Sequence, residues 1–305
     1  MLAIEISSLY KKYPGNIQAV NGLSLAIEEG SFFALLGPNG SGKTTTLGII
    51  SSLVQKTSGI VKVFGHNIDK ELIKAKHCIG IVPQDFNFSI FETTFDILVN
   101  QAGYFGIEKS IAKIRAEEYL CLLGLWHKKD TKAGQLSGGM KRRLMIARAM
   151  MHCPKILILD EPTAGLDIEV RYQIWNFLQI INKEQKITIV LTTHYLEEAE
   201  RLCETIAIIN NGQIIRQDSM ENILASFTMQ SYIAQLSEPL EVLPNLNDVM
   251  LKLHSPYKLE INFQAPATIS TLIEQLSSHN IIIKSLSSQG SKLEELFLNL
   301  TGTAL

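Results

Sequence analysis

Cysteine is scarce: 305 residues contain four, at 78, 121, 153 and 203. They form no C-x-x-C pair and have no matching histidine spacing. A disulfide scaffold and a Cys/His metal cluster are therefore both excluded as organising principles, and a reduced, cytosolic setting is expected. Long apolar runs are missing as well. Segments such as 156–159 (ILIL) and 281–283 (III) have the length of strands, far below the ~18 residues that a spanning helix needs. The opening MLAIEISSLYKKYPG lacks the apolar stretch of a secretion signal. Charge of one sign is also lacking. A formal net charge of −2 provides no basic field to recruit nucleic acid or an anionic membrane. A soluble chain with a substantial core is expected, built as one large domain or as a large and a small one.

What is present is hydrophobic patterning, with 46% apolar residues. Phe32–Leu36, Ile79–Val82, Ile156–Leu159 and Ile187–Leu191 are continuous apolar runs, as expected of strands covered by helices on both faces of a parallel sheet. Helical stretches at 110–123, 139–152, 168–182 and 195–203 lie between or after them, and βα alternation predicts an α/β core. The first ~30 residues read as short antiparallel strands turning at Tyr13-Pro14-Gly15-Asn16. Beyond about residue 226 prolines become denser. Helical stripes appear there at Ile269, Leu272, Ile273, Leu276 and at Leu293, Leu296, Phe297, Leu300. With strand-like runs at 230–236, 257–263 and 281–286, they predict a small α+β domain over 226–305. No internal repeat or low-complexity tract is apparent.

Three motifs carry chemistry. Gly37-Pro38-Asn39-Gly40-Ser41-Gly42-Lys43-Thr44 follows a predicted strand and opens a helix. Such a loop turns backbone N–H groups onto a phosphate, reinforced by the helix N-terminus. Lys43 is expected to bridge β- and γ-phosphates, and the Thr44 hydroxyl to ligate Mg²⁺. The second motif is the aliphatic strand 156–159, which delivers Asp160 to a sheet edge where it can hold the metal's water shell. Glu161 comes next, placed to polarise an attacking water. The third is Leu136-Ser137-Gly138-Gly139-Met140, ahead of a helix from Lys141 to His152.

At this third motif the sequence resembles the ABC ATPase family, whose signature reads LSGGQ. The resemblance covers roughly residues 1–220 and implies a P-loop nucleotidase cassette over 1–225, with a parallel-sheet core, an N-terminal antiparallel β subdomain and a helical subdomain at about 87–153. It implies that Ser137, Gly138 and Gly139 bind the γ-phosphate of ATP held by an opposite subunit. Thr45 joins the phosphate-loop residues around ATP, and Tyr13 matches the aromatic that stacks on adenine. Gln84 matches the glutamine that senses the γ-phosphate and contributes to the metal site. Asp167 in AGLD matches the loop crossing the dimer interface, and His194 in LTTH the switch histidine. Catalytic work thus falls to Glu161, His194, Gln84 and Lys43, the metal to Thr44, Gln84 and Asp160. Met140 departs from the family's Gln and is read as a packing residue.

Within the family, IVPQDFNF, LSGGMKRRLMIARAMMH, DEPTAGLD, TTHYLEEAE and LEELFLNLTG resemble the ABC-2 type exporter ATPases, of the daunorubicin-resistance and YadG-like kind. That resemblance implies ATP and Mg²⁺ as cofactors, a separate ABC-2 type permease, a head-to-tail homodimer and a place on the cytoplasmic face of the inner membrane. The repair and chromosome branch of the family would need a long coiled coil between Lys43 and Ser137, and no sustained heptad appears there. A translation-factor member would carry two cassettes. The phenylalanines at 86, 88, 91 and 95 fit either a core or the groove that receives a permease helix. Lys141-Arg142-Arg143 and Glu197, Glu198 and Glu200 read as solvated helix surface. Trp126 and Trp175 read as packing residues.

Overall fold

The computed structural model describes residues 1–225, 229–240, 242–244, 246, 249–264, 268–288 and 292–302. The chain divides into two compact units, at residues 1–220 and 221–304.

The first unit opens with β1 (Leu2–Tyr13) and β2 (Ile17–Glu28), an antiparallel pair joined by a turn at Pro14–Asn16. These strands run to 12 residues each, longer than the short strands expected, because bulges interrupt the ladder without ending it. Ser8, at φ +48°, lies within one such irregular stretch. β3 (Phe32–Leu36), α1 (Lys43–Ile50), β4 (Ser58–Val63), β5 (His66–Asn67) and α2 (Leu72–His77) follow. β4 and β5 complete a four-stranded antiparallel sheet in the order β2-β1-β4-β5.

β6 (Ile79–Val82) precedes a helical insertion of α3 (Thr94–Tyr104), α4 (Lys109–Leu122) and α5 (Gly138–Met150). The chain then returns through β7 (Ile156–Asp160), α6 (Ile168–Gln185), β8 (Thr188–Thr192), α7 (Leu196–Leu202), β9 (Thr205–Asn210) and β10 (Gln213–Ser219). These strands build a six-stranded sheet in the order β10-β9-β3-β8-β7-β6, parallel except for the β10 edge. Every residue of β3, β7 and β8 is buried, as continuous apolar strands between helical layers must be. One core fuses the two sheets, with Ile4, Leu9 and Leu23 packing into the same cluster as Phe33, Leu35, Ile158 and Val190. Each fully buried aliphatic of this kind contributes about 1.5–3 kcal/mol.

Parallel order has one consequence for chemistry. The carboxyl ends of β3, β8, β7 and β6 lie side by side, so the segments at 37–42, 193–194, 161–167 and 83–84 all leave the same sheet edge. Open α/β sheets place their ligands at that edge.

The second unit contains β11 (Met229–Leu236), β12 (Val249–Ser255), β13 (Lys258–Gln264), α9 (Ile269–Ser278), β14 (Ile283–Ser288) and α10 (Lys292–Thr301), preceded by α8 (Met220–Ala225). Its antiparallel sheet runs β12-β13-β11-β14. Leu259, Ile261, Phe263 and Ala234 form a core with Leu272 and Leu276 of α9.

Candidate active site

The phosphate loop is shaped by contacts that a side chain would forbid. A Cβ on Gly37 would lie 2.4 Å from the Ile209 carbonyl oxygen, and one on Gly42 would lie 2.4 Å from that of Ala19. Gly42 also sits at φ +108°, where L side chains are strained, and it opens α1. Gly37 and Ser41 are buried, Pro38 half-buried, Asn39 and Gly40 exposed, so the loop's crest faces solvent. The Ser41 hydroxyl is buried without a hydrogen-bond partner.

Lys43 is buried and donates through Nζ to the carbonyls of Gly37 at 2.6 Å and Pro38 at 3.1 Å. Burial lowers its pKa, while Glu161 and Asp160 pull it back up. One ammonium group therefore feels both acids across the sheet edge. Thr44 is exposed on the first turn of α1 and Thr45 half-buried.

Glu161 occupies the left-handed region at φ +48°, immediately past the end of β7. Its amide donates to the Thr192 carbonyl at 3.1 Å and to the Thr192 hydroxyl at 3.2 Å. The same hydroxyl donates to Asp160 Oδ1, so Thr192 of β8 holds both the last residue of β7 and the acid that follows it. Sequence reading passed over Thr192; its place at the end of a strand just ahead of His194 was the available signal. Glu161 Oε2 accepts from Gln84 Nε2 at 3.1 Å and stands 3.4 Å from His194 Nδ1. Gln84, Glu161 and His194, expected from separate motifs, thus meet on one oxygen.

Five expected residues lie apart from this cluster. Tyr13 ends β1 half-buried, with the Lys11 ammonium 4.6 Å from its ring centroid. Ser137 is exposed and caps α5, its hydroxyl accepting from the Met140 amide at 3.3 Å. Gly138 is exposed with open space where a Cβ would go, whereas Gly139 sits close to Val170. Asp167 is exposed at the head of α6. Among the described residues, none of the five forms a hydrogen bond to the phosphate loop.

Two sets of charges depart from the solvated surface expected of them. Arg142 is 5% exposed and donates to the carbonyls of Pro83 and Gln84, each at 2.8 Å. Its guanidinium lies 5.3 Å from the Phe86 ring centroid. Burial lowers its pKa, and the carboxylates of Asp160, Asp85 and Glu161 oppose that shift. Glu198 is fully buried, accepting from Thr163 and Trp175, and burial raises its pKa. Lys141 and Arg143 are half-buried; Glu197 is exposed and Glu200 half-buried.

The sequence profile described as ABC transporter matches residues 20–164. The linearmycin resistance ATP-binding protein LnrL of Bacillus subtilis (strain 168) is 37% identical over 308 aligned positions, covering 97% of each chain. The chain belongs to the ABC transporter family.

As an ABC ATP-binding subunit it is an ATP-hydrolysing transporter motor. The Nod factor export ATP-binding protein I of Burkholderia orbicola (strain AU 1054) is 38% identical over 223 positions, 73% of each chain. Among solved structures, the ATP-binding cassette MJ0796 in a dimeric post-hydrolysis state with ADP and Pi gives a TM-score of 0.67 at 30% identity. That match covers 71% of this chain and 98% of the other. CbiO1 from Clostridium perfringens, described as part of the transporter complex cbiONQ, also gives 0.67 at 30% identity, covering 73% and 91%. Among the described residues, no helix is long and apolar enough to cross a membrane.

Proposed function

We propose that this ABC subunit powers an exporter of the ABC-2 type, working as a head-to-tail homodimer bound to a separate integral membrane permease. The observation that carries the catalytic reading is the convergence of Gln84 and His194 on the Glu161 carboxylate at the sheet's carboxyl edge. Curated relatives named for linearmycin resistance and for Nod factor export support the export direction. The permease holds the subunit at the cytoplasmic membrane face.

Phosphoryl transfer asks a protein for positioning and charge, with little covalent work. ATP draws the Lys43 ammonium from the carbonyls of Gly37 and Pro38 to its phosphate oxygens, while the loop amides of 39–44 and the N-terminus of α1 bind the same anion. Pro38, Asn39, Gly40, Ser41 and Thr45 complete the cradle, and Tyr13 stacks on the adenine.

The Asp160 carboxylate and the Thr44 hydroxyl are hard oxygen donors on this edge, with the Gln84 amide oxygen as a third, a set suited to Mg²⁺. When bound, Mg²⁺ neutralises charge on the phosphate oxygens. Glu161 takes the proton of the attacking water, and His194 holds that water and the γ-phosphate in line. Gln84, hydrogen-bonded to Glu161, reports the arrival of the γ-phosphate to the segment that follows it.

The second copy provides what one chain lacks. Ser137 and Gly138 stand exposed at the start of α5, with Gly139 half-buried beside them and room beside Gly138 for a phosphate from the partner's loop. Asp167, exposed at the head of α6, faces the crossing point. Two-fold symmetry then gives two composite sites.

The permease docks near Gln84. Ile90 and Phe91, 52% and 77% exposed, are the most exposed apolar side chains of that stretch, and Phe86, 46% exposed, also lies against the Arg142 guanidinium. Phe91→Glu tests the docking. It should abolish co-purification with a co-expressed ABC-2 type permease while leaving ATP affinity and melting temperature unchanged. Undiminished co-purification would rule out this surface.

A further inference from the structure

α7 starts two residues after His194, and its third residue, Glu198, lies wholly out of water. Burying a carboxylate is costly unless its oxygens are bonded. Here Oε1 accepts from the Thr163 hydroxyl at 2.9 Å and from the Trp175 indole Nε1 at 2.8 Å. Oε2 is buried without a bond meeting ordinary geometry, although burial's upward push on the carboxylate's pKa is opposed by the nearby Thr193 hydroxyl. Arg171 of α6 adds a favourable charge and lies over the Tyr195 ring, 4.4 Å from its centroid.

These partners come from the segments that hold the reacting groups. Thr163 is two residues past Glu161, Thr193 immediately precedes His194, and Trp175 lies on α6, which Asp167 heads. Thr193 also accepts the Tyr195 amide at 2.9 Å, closing the turn around His194. We infer that Glu198 is a positioning residue that ties the Glu161 segment to the His194 segment from behind, setting the spacing between the two side chains. This inference rests on the proposed roles of Glu161 and His194.

The geometry requires such a tie. Glu161 sits at φ +48°, a conformation that persists only where the surroundings over-determine it, and Thr192 restrains only its amide. Beyond Glu161 the chain runs to Thr163, where Glu198 is the side-chain acceptor. If that bond is lost, the carboxylate and the imidazole 3.4 Å away can drift apart. Glu198 bonds to no residue of the phosphate loop, so its loss should affect turnover and spare nucleotide affinity.

The experiment uses the full chain and three variants, Glu198→Ala, Glu198→Gln and Thr163→Val. For each, the melting temperature, the affinity for a fluorescent ATP analogue and kcat with Mg²⁺ are measured. Glu198→Ala should lose roughly ten- to a hundredfold in kcat. Its affinity should stay within about twofold of wild type, as expected when only transition-state positioning is lost. Glu198→Gln should recover most of the rate, because its amide oxygen accepts the same two bonds. Thr163→Val, which removes one donor at nearly constant volume, should lower kcat in the same direction.

A Glu198→Ala chain with wild-type kcat per folded molecule would overturn the role. So would parallel losses in affinity and kcat. If Glu198→Ala does not fold, Thr163→Val decides alone: wild-type kcat there overturns the inference. Glu161→Gln is run alongside, and full hydrolysis by that variant would instead overturn the underlying catalytic assignment.

Discussion

At the residue scale, His152 links burial to pH. Its ring is stacked on Phe105 with centroids 3.8 Å apart, and Nε2 bonds to the Ile79 carbonyl at 3.0 Å. Burial, chiefly, with His77 and Arg115 adding to it, lowers its pKa to about 4, and the Ile79 bond opposes the shift. The folded protein therefore binds this proton less readily than the unfolded chain, whose histidine titrates near ~6.5. Stability should fall as pH drops from about 6.5 toward 4, and this contribution should level off below. Melting temperatures of wild type and His152→Phe across that range test it: the slope should be shallower in the variant, and equal slopes would discount His152. Which single residues were legible depended on local pattern. The phosphate loop, Asp160 and Glu161 are contiguous and could be read directly. Glu198 was misread because an acidic run suggests solvent, and its partners Thr163 and Trp175 lie far away in sequence. A helical wheel held the clue, since Glu198 falls beside Leu202 on the buried flank of α7.

At the scale of elements, α5 holds the stretch after β6 by two arginines. Arg142 takes the carbonyls of Pro83 and Gln84, while Arg148 donates to the Asn87 carbonyl at 3.0 Å and to its side chain. Phe86 and Phe88 lie against these guanidinium groups. The helix that Ser137 opens is thereby fastened to the backbone of Gln84. Arg142→Lys cannot supply both bonds, because an ammonium lacks the planar fork. It should cost about 1–3 kcal/mol. It should also lower kcat more than ATP affinity and speed proteolysis between residues 83 and 91. Unchanged cleavage there would show that Arg142 does not hold the segment. Regular elements were legible because strand and helix periods differ: Phe32–Leu36 and Ile79–Val82 appear as expected. β12 (Val249–Ser255) was passed over, since Met250 places an apolar side chain on the exposed face and blurs the alternation of Val249, Leu251 and Leu253. The arginine fastening was not legible, because the length of a helix face says nothing of what lies across from it.

At the scale of the whole molecule, two units each contain their own apolar core. The phosphate loop, both acids, Gln84, His194 and the Ser137 segment all belong to the first unit. A chain ending at residue 225 should therefore fold and bind ATP with near-wild-type affinity; a folded fragment without ATP binding would contradict this. The change in proline density near 226 was the sequence signal for a second unit, and it fell a few residues beyond the division at 220/221. In the proposed mechanism Glu161 activates water inside a dimer closed by ATP. The most direct measurement is size-exclusion chromatography with ATP and Mg²⁺ on Glu161→Gln, paired with phosphate release. Gln keeps the shape but removes the base, so the variant should bind ATP, elute as a stable dimer and release phosphate at least about a hundredfold more slowly than wild type. Lys43→Ala, run beside it, should remain monomeric. A Glu161→Gln protein that hydrolyses ATP near the wild-type rate, or that stays monomeric while ATP is bound, would refute that mechanism.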